Sequence, residues 1–194
     1  MTTFNPIIRH SMTHSNAGVA SLVSENLALL QELKMEVGVL DLASGSGRNG
    51  LFLVRHHIPV TFADNNESAL RDVELHSAEN ADLVQTWLVD LEIPGSDPLL
   101  GKAFDAVMVF NYLHRPLMSS LRDAVKPGGL ILYETFTVDQ ARYGKPSNPD
   151  FLLHKEELRK HFHDWEILFY QEGDRTDPPC AKASLLARKP GISH

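Results

Sequence analysis

Val37-Gly38-Val39-Leu40-Asp41-Leu42-Ala43-Ser44-Gly45-Ser46-Gly47-Arg48-Asn49-Gly50 is the stretch that decides the fold. An apolar run with an acid near its end empties into a glycine-rich turn, and helix-forming residues follow. Such a pattern fits a buried parallel strand whose carboxyl end delivers a ligand to a helix N-terminus. Gly45, Gly47 and Gly50 satisfy G-x-G-x-x-G, a spacing common enough by chance to need other support. In a dinucleotide-binding turn the first glycine ends the strand directly, so that backbone can approach a pyrophosphate. Here Asp41 stands four residues ahead of Gly45. A carboxylate in that place repels a diphosphate and suits a cationic or amino-bearing ligand. The plain alternative is a turn that only connects a strand to a helix.

Working outward, the chain reads as one globular α/β domain, 1–194. Its 194 residues are 43% hydrophobic and 22% charged, without repeats, low-complexity tracts or charge blocks. Acids outnumber bases 25 to 18, a net charge of −7, which argues against a broad phosphate-binding surface and makes a nucleic-acid partner unexpected. The single cysteine, Cys180, allows no internal disulfide. No apolar run is long enough to span a bilayer, and the N-terminus lacks a basic-then-apolar leader, so no membrane partner is expected and the cytoplasm is the expected compartment.

Periodicity alternates between strand and helix. Apolar runs at Val37–Leu42, Ile58–Ala63, Val84–Val89, Phe104–Phe110, Leu130–Phe136, Trp165–Tyr170 and Ala183–Ala187 predict seven strands. Helical patterns at Leu51–His56, Glu67–Ala78 and Pro116–Val125 lie between the early ones, which implies a mostly parallel sheet covered on both faces. The turn-rich Gly173–Pro179 separates the last two strands, which are expected to close the sheet as an antiparallel hairpin. Residues 1–35 form an expected N-terminal helical cap, with a helix from about Ala17 to Lys34.

Open α/β sheets bind ligands at the carboxyl ends of their strands. Strand two ends in Ala63-Asp64-Asn65, and Asp64 can accept both hydroxyls of a ribose. Strand three ends in Val89-Asp90-Leu91. Asp is common where strands give way to turns, but three acids at three successive strand ends, in step with one glycine turn, form a set. The arrangement D-x-A-x-G-x-G-R at Asp41–Arg48 resembles the first motif of class I S-adenosylmethionine-dependent methyltransferases. The resemblance implies a Rossmann-like seven-stranded fold and S-adenosyl-L-methionine as cofactor, with S-adenosyl-L-homocysteine as product. It places Asp41 beside the ammonium group of the cofactor and Asp90 beside the adenine amine. It further implies cofactor contacts from Ala43, Gly45, Gly47, Arg48, Asn49, Asp64, Asn65, Leu91 and Asn111. Phe104–Phe110 and Lys126–Leu130 look like the family's fourth strand and the entry to its fifth. Asn111–Pro116, Tyr133–Phe136 and Gly144–Leu153 resemble a subgroup of small methyltransferases near the tellurite-resistance type.

A sulfonium methyl is already activated, so such a protein mainly aligns a nucleophile and excludes water. A base is needed only for an acceptor that arrives protonated, and His114, just beyond strand four, is the candidate. A loop-holding histidine is the equal alternative. Arg115 and Arg142 could receive an anionic substrate, although Arg115 could equally pair with an acid to hold its loop. Glu134 could orient a substrate amine or anchor the Asn148–Leu153 loop. Tyr112, Tyr143, Asn148 and Phe151 complete the substrate-side candidates, and residues 137–153 are read as a lid. Asn111 lacks the proline pair that often marks nitrogen methyltransferases, which weakens a nucleic-acid or amide target. His56-His57 and His161-x-His163 complete no metal pattern, so no metal is expected. The expected function is methyl transfer to a small molecule: a metabolite, a thiol or an oxyanion. The alternatives are a non-catalytic S-adenosylmethionine-binding regulatory protein and a nicotinamide-dependent oxidoreductase.

Overall fold

The computed structural model describes residues 18–191; the expected cap residues 1–17, including the start of the Ala17–Lys34 helix, lie outside the described residues. A seven-stranded sheet organises the chain: β1 (Val39–Leu42), β2 (Val60–Asp64), β3 (Val84–Leu88), β4 (Phe104–Phe110), β5 (Val125–Phe136), β6 (Glu166–Thr176) and β7 (Pro179–Arg188). Their order across the sheet is β3-β2-β1-β4-β5-β7-β6. β1 to β5 run parallel, while β7 is antiparallel to both β5 and β6. This is the mostly parallel α/β sheet expected from the alternation of strand and helix patterns, in the Rossmann-like form that the family resemblance implies.

The sheet is apolar on both faces because helices cover both. α1 (Ser21–Ser24), α2 (Leu27–Gln31), α3 (Arg48–Arg55) and α4 (Glu67–His76) bury Val23, Leu30, Phe52 and Val73 against Val39, Phe62, Met108 and Leu132. α5 (Met118–Ala124) and α6 (Glu157–His161) lie on the other face. There Leu121, Leu158, Phe162 and Trp165 meet Leu40, Val107, Ile131 and Leu185. Alternate residues of one strand therefore serve different cores, and β4 is buried at all seven positions.

Several boundaries differ from those expected, each for a local reason. The N-terminal helix is two short ones, because the Asn26 side chain donates to the Leu22 carbonyl at 2.9 Å and competes with the helix for it. α3 ends before His57, whose φ of 61° lies in the left-handed region, so His56 and His57 are not helical neighbours. β5 begins at Val125, ahead of the glycines that were expected to precede it, because Val125 already pairs with Phe104. The closing hairpin is longer than expected. Gly173–Thr176 and Pro179 belong to the strands, and the turn shrinks to Asp177-Pro178. Gly and Pro are tolerated there because β6 is an edge strand and Pro179 is the first residue of β7.

At the amino end of the sheet, one carboxylate clamps three strands. Asp105 Oδ2 accepts the consecutive N–H groups of Glu36, Val37 and Gly38 at 2.8, 2.7 and 2.8 Å. Its Oδ1 accepts from Lys126 Nζ at 2.9 Å, and Lys126 also reaches Glu36 at 2.6 Å. The entry to β1, the start of β4 and the start of β5 are thereby held in register. Burial works to raise the Asp105 pKa, but Lys126 and the three N–H groups outweigh it and hold the carboxyl below its ordinary value.

A lowered folded-state pKa means that the stabilisation is complete above the unfolded value of ~3.9 and fades as pH falls through the folded value. Asp105→Ala should lower unfolding free energy by roughly 3 kcal/mol at pH 7, since it leaves three N–H groups without their acceptor and Lys126 with Glu36 as its remaining partner. Urea denaturation of both proteins checks this: the gap should be constant from pH 5 to 7 and narrow below pH ~3.9.

Candidate active site

β1 has β2 on one side and β4 on the other, so the chain leaves it in opposite directions, and a crevice opens at the carboxyl ends of these strands. The loop leaving β1 lies across that crevice. Ala43, Gly45 and Gly47 have φ of 52°, 53° and 74°, and the turn is closed by Ser44 N–H on the Ala63 carbonyl and Gly47 N–H on the Ser44 carbonyl. The glycines serve different needs. A Cβ on Gly47 would meet Val73 at 2.7 Å and Phe62 at 2.8 Å, and one on Gly50 would meet Phe62 at 2.3 Å and Asp41 Oδ2 at 2.8 Å. Both therefore let α3 sit hard against β2. A Cβ on Gly45 would meet nothing within 4 Å, so that residue borders open space.

The three acids occupy three distinct settings. Asp41 is only 3% exposed, and its Oδ2 accepts the Gly50 N–H at 2.9 Å; no other hydrogen bond reaches this carboxylate among the described residues. Burial raises its pKa to about 7, against the smaller opposing effects of Gly50 and Arg48. Asp64 is half-buried and holds the loop, accepting from Gly45 N–H at 2.7 Å through Oδ2 and from Asn66 N–H at 2.9 Å through Oδ1. Asp90 is exposed and accepts the Glu92 N–H at 2.9 Å.

A cavity of about 220 Å³ unites Asp64 and Asp90 with Ala43, Asn65, Val89, Leu91, Glu92 and Tyr112. Its walls are apolar with a rim of three carboxylates, each an acceptor. Such a lining takes a flat, partly apolar ligand with hydroxyl or amine donors, and it opposes phosphate. The Tyr112 hydroxyl is buried with no hydrogen-bond partner among the described residues. Its pKa is raised by burial and next by the negative charge of Glu92. The site thus fits an adenosine-type group by its shape and donor demand, and an ammonium group by the buried acid behind the glycine turn.

The other candidates divide. Arg48 donates to the Gly18 carbonyl at 2.8 Å, and Asn49, buried, accepts the Ala20 N–H at 3.0 Å, so both tether the N-terminal segment to α3. Asn111, at the end of β4, has φ of 56° and donates its N–H to the Glu134 carbonyl at 2.8 Å. His114 is half-buried, and its carbonyl accepts the Leu117 N–H at 3.0 Å. Arg115 holds its loop: it pairs with Glu157 through two nitrogens at 2.7 and 2.9 Å and donates to the carbonyls of Asp150 and Leu152. Arg142 pairs with Asp174 at 3.0 Å. Asn148 accepts the Asp150 N–H at 3.1 Å, and Tyr143 and Phe151 are exposed. Residues 137–153 are tied down at both ends, by the Thr137–Leu153 bridge and by Gln140 accepting the Ala181 N–H at 2.8 Å.

Glu134 faces a second cavity, of about 330 Å³, which it shares with Ser21, Leu22, Glu25, Asn26, Phe169, Gln171, Arg175 and Ser184. Its carboxylate is already occupied, by Lys182 Nζ at 3.1 Å and Ser184 Oγ at 2.7 Å. Glu92, Lys182, Ser184 and Arg175 stand in no motif of the sequence. The only signal for Lys182 and Ser184 was their alternation around Ala183. Their meeting with Glu134 depends on an antiparallel register that pairs Glu134 with Ser184 and Phe136 with Lys182. Among the described residues no cluster of three or more His, Cys, Asp or Glu could hold a metal ion, and no helix is long and apolar enough to cross a membrane.

Comparison with known proteins agrees with this architecture. The family model described as "Tellurite resistance protein TehB" matches residues 11–177. The "Probable S-adenosyl-L-methionine-dependent methyltransferase TehB" of Haemophilus influenzae is 27% identical over 169 residues, covering 78% of this chain and 57% of that protein. Hemagglutinin 1 of Eikenella corrodens is 25% identical over 199 residues, covering 94% of this chain and 62% of that protein. The crystal structure of TehB from Haemophilus influenzae superposes with a TM-score of 0.70 at 23% identity, over 88% of this chain and 62% of that one. The chain thus spans less than two thirds of the length of each of these relatives. With residues 11–177 matched by this one family model, the chain belongs to the TehB tellurite resistance family.

Proposed function

We propose that the protein transfers a methyl group from S-adenosyl-L-methionine to a small-molecule acceptor. The observation that carries this reading is the charge pattern at the carboxyl edge. Asp64, Asp90 and Glu92 rim one cavity, while Asp41 is buried behind the glycine turn. Three acceptors suit the hydroxyls and amine of adenosine, and the buried acid suits an ammonium. The same charges oppose the diphosphate of a dinucleotide, so the literal G-x-G-x-x-G spacing does not make a nicotinamide site. The name of the Haemophilus influenzae relative supports the same cofactor.

When bound, S-adenosylmethionine supplies an electrophilic methyl on a sulfonium. The chain's own residues then have three tasks. Asp64, Asp90 and Glu92 hold the adenosine part, with Val89 and Leu91 as apolar walls. Asp41 neutralises the ammonium, and the Ala43–Gly47 turn brings backbone rather than side chains to the methionyl part. The segment after β4, Asn111 to Arg115, and the 137–153 strap shield the acceptor side from water, with His114 available to take a proton from an acceptor that carries one. The family's description, a tellurite resistance protein, supports an inorganic oxyanion as one candidate acceptor, beside thiols and metabolite carboxylates.

The direct test incubates the protein with methyl-labelled S-adenosylmethionine and, in turn, tellurite, selenite, small thiols and carboxylic acids. Label transferred to one of them supports the reading. Tight cofactor binding with no transfer to any would favour the regulatory alternative. Asp64→Ala should weaken S-adenosylhomocysteine binding at least tenfold, since it removes a ligand contact and also the anchor of the Gly45 N–H; calorimetry measures it, and unchanged affinity removes Asp64 from the site. Because the Asp41 pKa of about 7 is raised in the folded protein, the acid is largely protonated at pH 6 and must ionise to receive an ammonium. Binding at pH 6 should therefore release close to one proton, and binding at pH 8 little, with the difference lost in Asp41→Asn. Calorimetry in buffers of different ionisation enthalpy reads this directly.

A further inference from the structure

Lys182 has no part in the reading above. Its side chain is 14% exposed, and its ammonium meets Glu134 Oε1 at 3.1 Å, Asn111 Oδ1 at 2.7 Å and the Phe136 ring at 4.7 Å from the centroid. Glu134 already balances its charge. The shorter contact, to a neutral amide two strands away on the end of β4, is not required for charge balance.

The chemistry of that contact fixes a direction. A lysine ammonium has donors only, so an asparagine amide facing it must present its oxygen. The amide nitrogen of Asn111 then faces away from Lys182, and no acceptor among the described residues takes its two N–H donors. Asn111 is exposed, its backbone is held in the left-handed region at φ 56°, and its own N–H is committed to the Glu134 carbonyl. In the parallel register Leu42 pairs with Val109, so Asn111, two residues on, leaves β4 at the same carboxyl edge at which the glycine turn leaves β1. Its neighbour Tyr112 forms a wall of the first cavity.

Resting on the cofactor reading above, we infer that Lys182 is a positioning residue: by fixing which way the Asn111 amide faces, it aims two N–H donors at the carboxylate in the amino-acid part of the bound cofactor. The carboxylate is the one anionic acceptor such a ligand carries, and the buried Asp41 serves the ammonium beside it. Lys182 itself does not touch the ligand; it acts through Asn111.

The test is a double-mutant cycle on the full chain, read by calorimetry with two probes. S-adenosylhomocysteine carries the amino-acid part, whereas methylthioadenosine carries the adenosine part alone. Asn111→Ala and Lys182→Met should each weaken S-adenosylhomocysteine by about fivefold to tenfold, and the double variant by no more than the worse single one. Methylthioadenosine affinity should stay within about twofold in all three. Should Lys182→Met fail to fold, Lys182→Arg and Lys182→Gln replace it. Arginine, a pure donor, should retain affinity, while glutamine, which also accepts and so no longer dictates the amide's direction, should lose it. Equal losses for both probes, additive losses in the double variant, or equal affinity for the arginine and glutamine variants would overturn the inference and leave Lys182 a structural tether. Wild-type protein that binds neither probe would instead remove the cofactor reading on which it rests.

Discussion

The arrangement depends on a carboxylate taken out of water with little to compensate it. Asp41 sits at the end of the central strand, 3% exposed, with the Gly50 N–H as its hydrogen-bond donor. That single contact orients α3, because Gly50 lies in its first turn and must approach both Asp41 and Phe62 closely enough that a Cβ would not fit. The glycine turn is then drawn tight between the end of β1 and the start of α3. Asp64 secures its middle through the Gly45 N–H. An under-served buried acid disfavours its own charged form, which the raised pKa expresses, and a cation arriving from solvent relieves that penalty. On the proposed reading, the penalty that an ammonium-bearing ligand would relieve is already built into the fold.

Asp105 shows what a purely structural acid looks like in the same sheet. It is nearly as buried as Asp41 but has three backbone N–H groups and a lysine, and its pKa moves down rather than up. The two aspartates lie on adjacent parallel strands, at opposite ends of the sheet. At the amino end every demand of the carboxylate is met internally and the strands are locked. At the carboxyl end the demand is left partly open. On the proposed reading, stability and binding are thus separated along the strand axis, as open α/β sheets place their ligands.

Much of this was legible in the chain itself. Alternating apolar runs foretold the parallel sheet because strands buried on both faces need continuous hydrophobicity. The acids of β1, β2 and β3 could be read together because each lies within two residues of its strand's carboxyl end: Asp41 just inside β1, Asp64 closing β2 and Asp90 two residues past β3. Longer-range partnerships were not legible. Arg115 could be read as a substrate group or as a loop anchor, and only the approach of Glu157 from α6 shows it anchoring the loop. Glu134 looked available to a substrate amine, yet the register of β7 delivers Lys182 and Ser184 to it. That register depends on a turn of Asp177-Pro178, hidden in the sequence by the Gly and Pro residues that the edge of the sheet tolerates within its strands.

The central claim, that the carboxyl edge is an adenosine-plus-ammonium site rather than a dinucleotide site, is tested most directly by titrating the wild-type protein with S-adenosylhomocysteine and, separately, with NAD under identical conditions. Saturable one-to-one binding of S-adenosylhomocysteine with no heat from NAD is the result the three carboxylates predict. Binding of NAD, or of neither, would contradict it and leave the glycine turn as a connection between a strand and a helix.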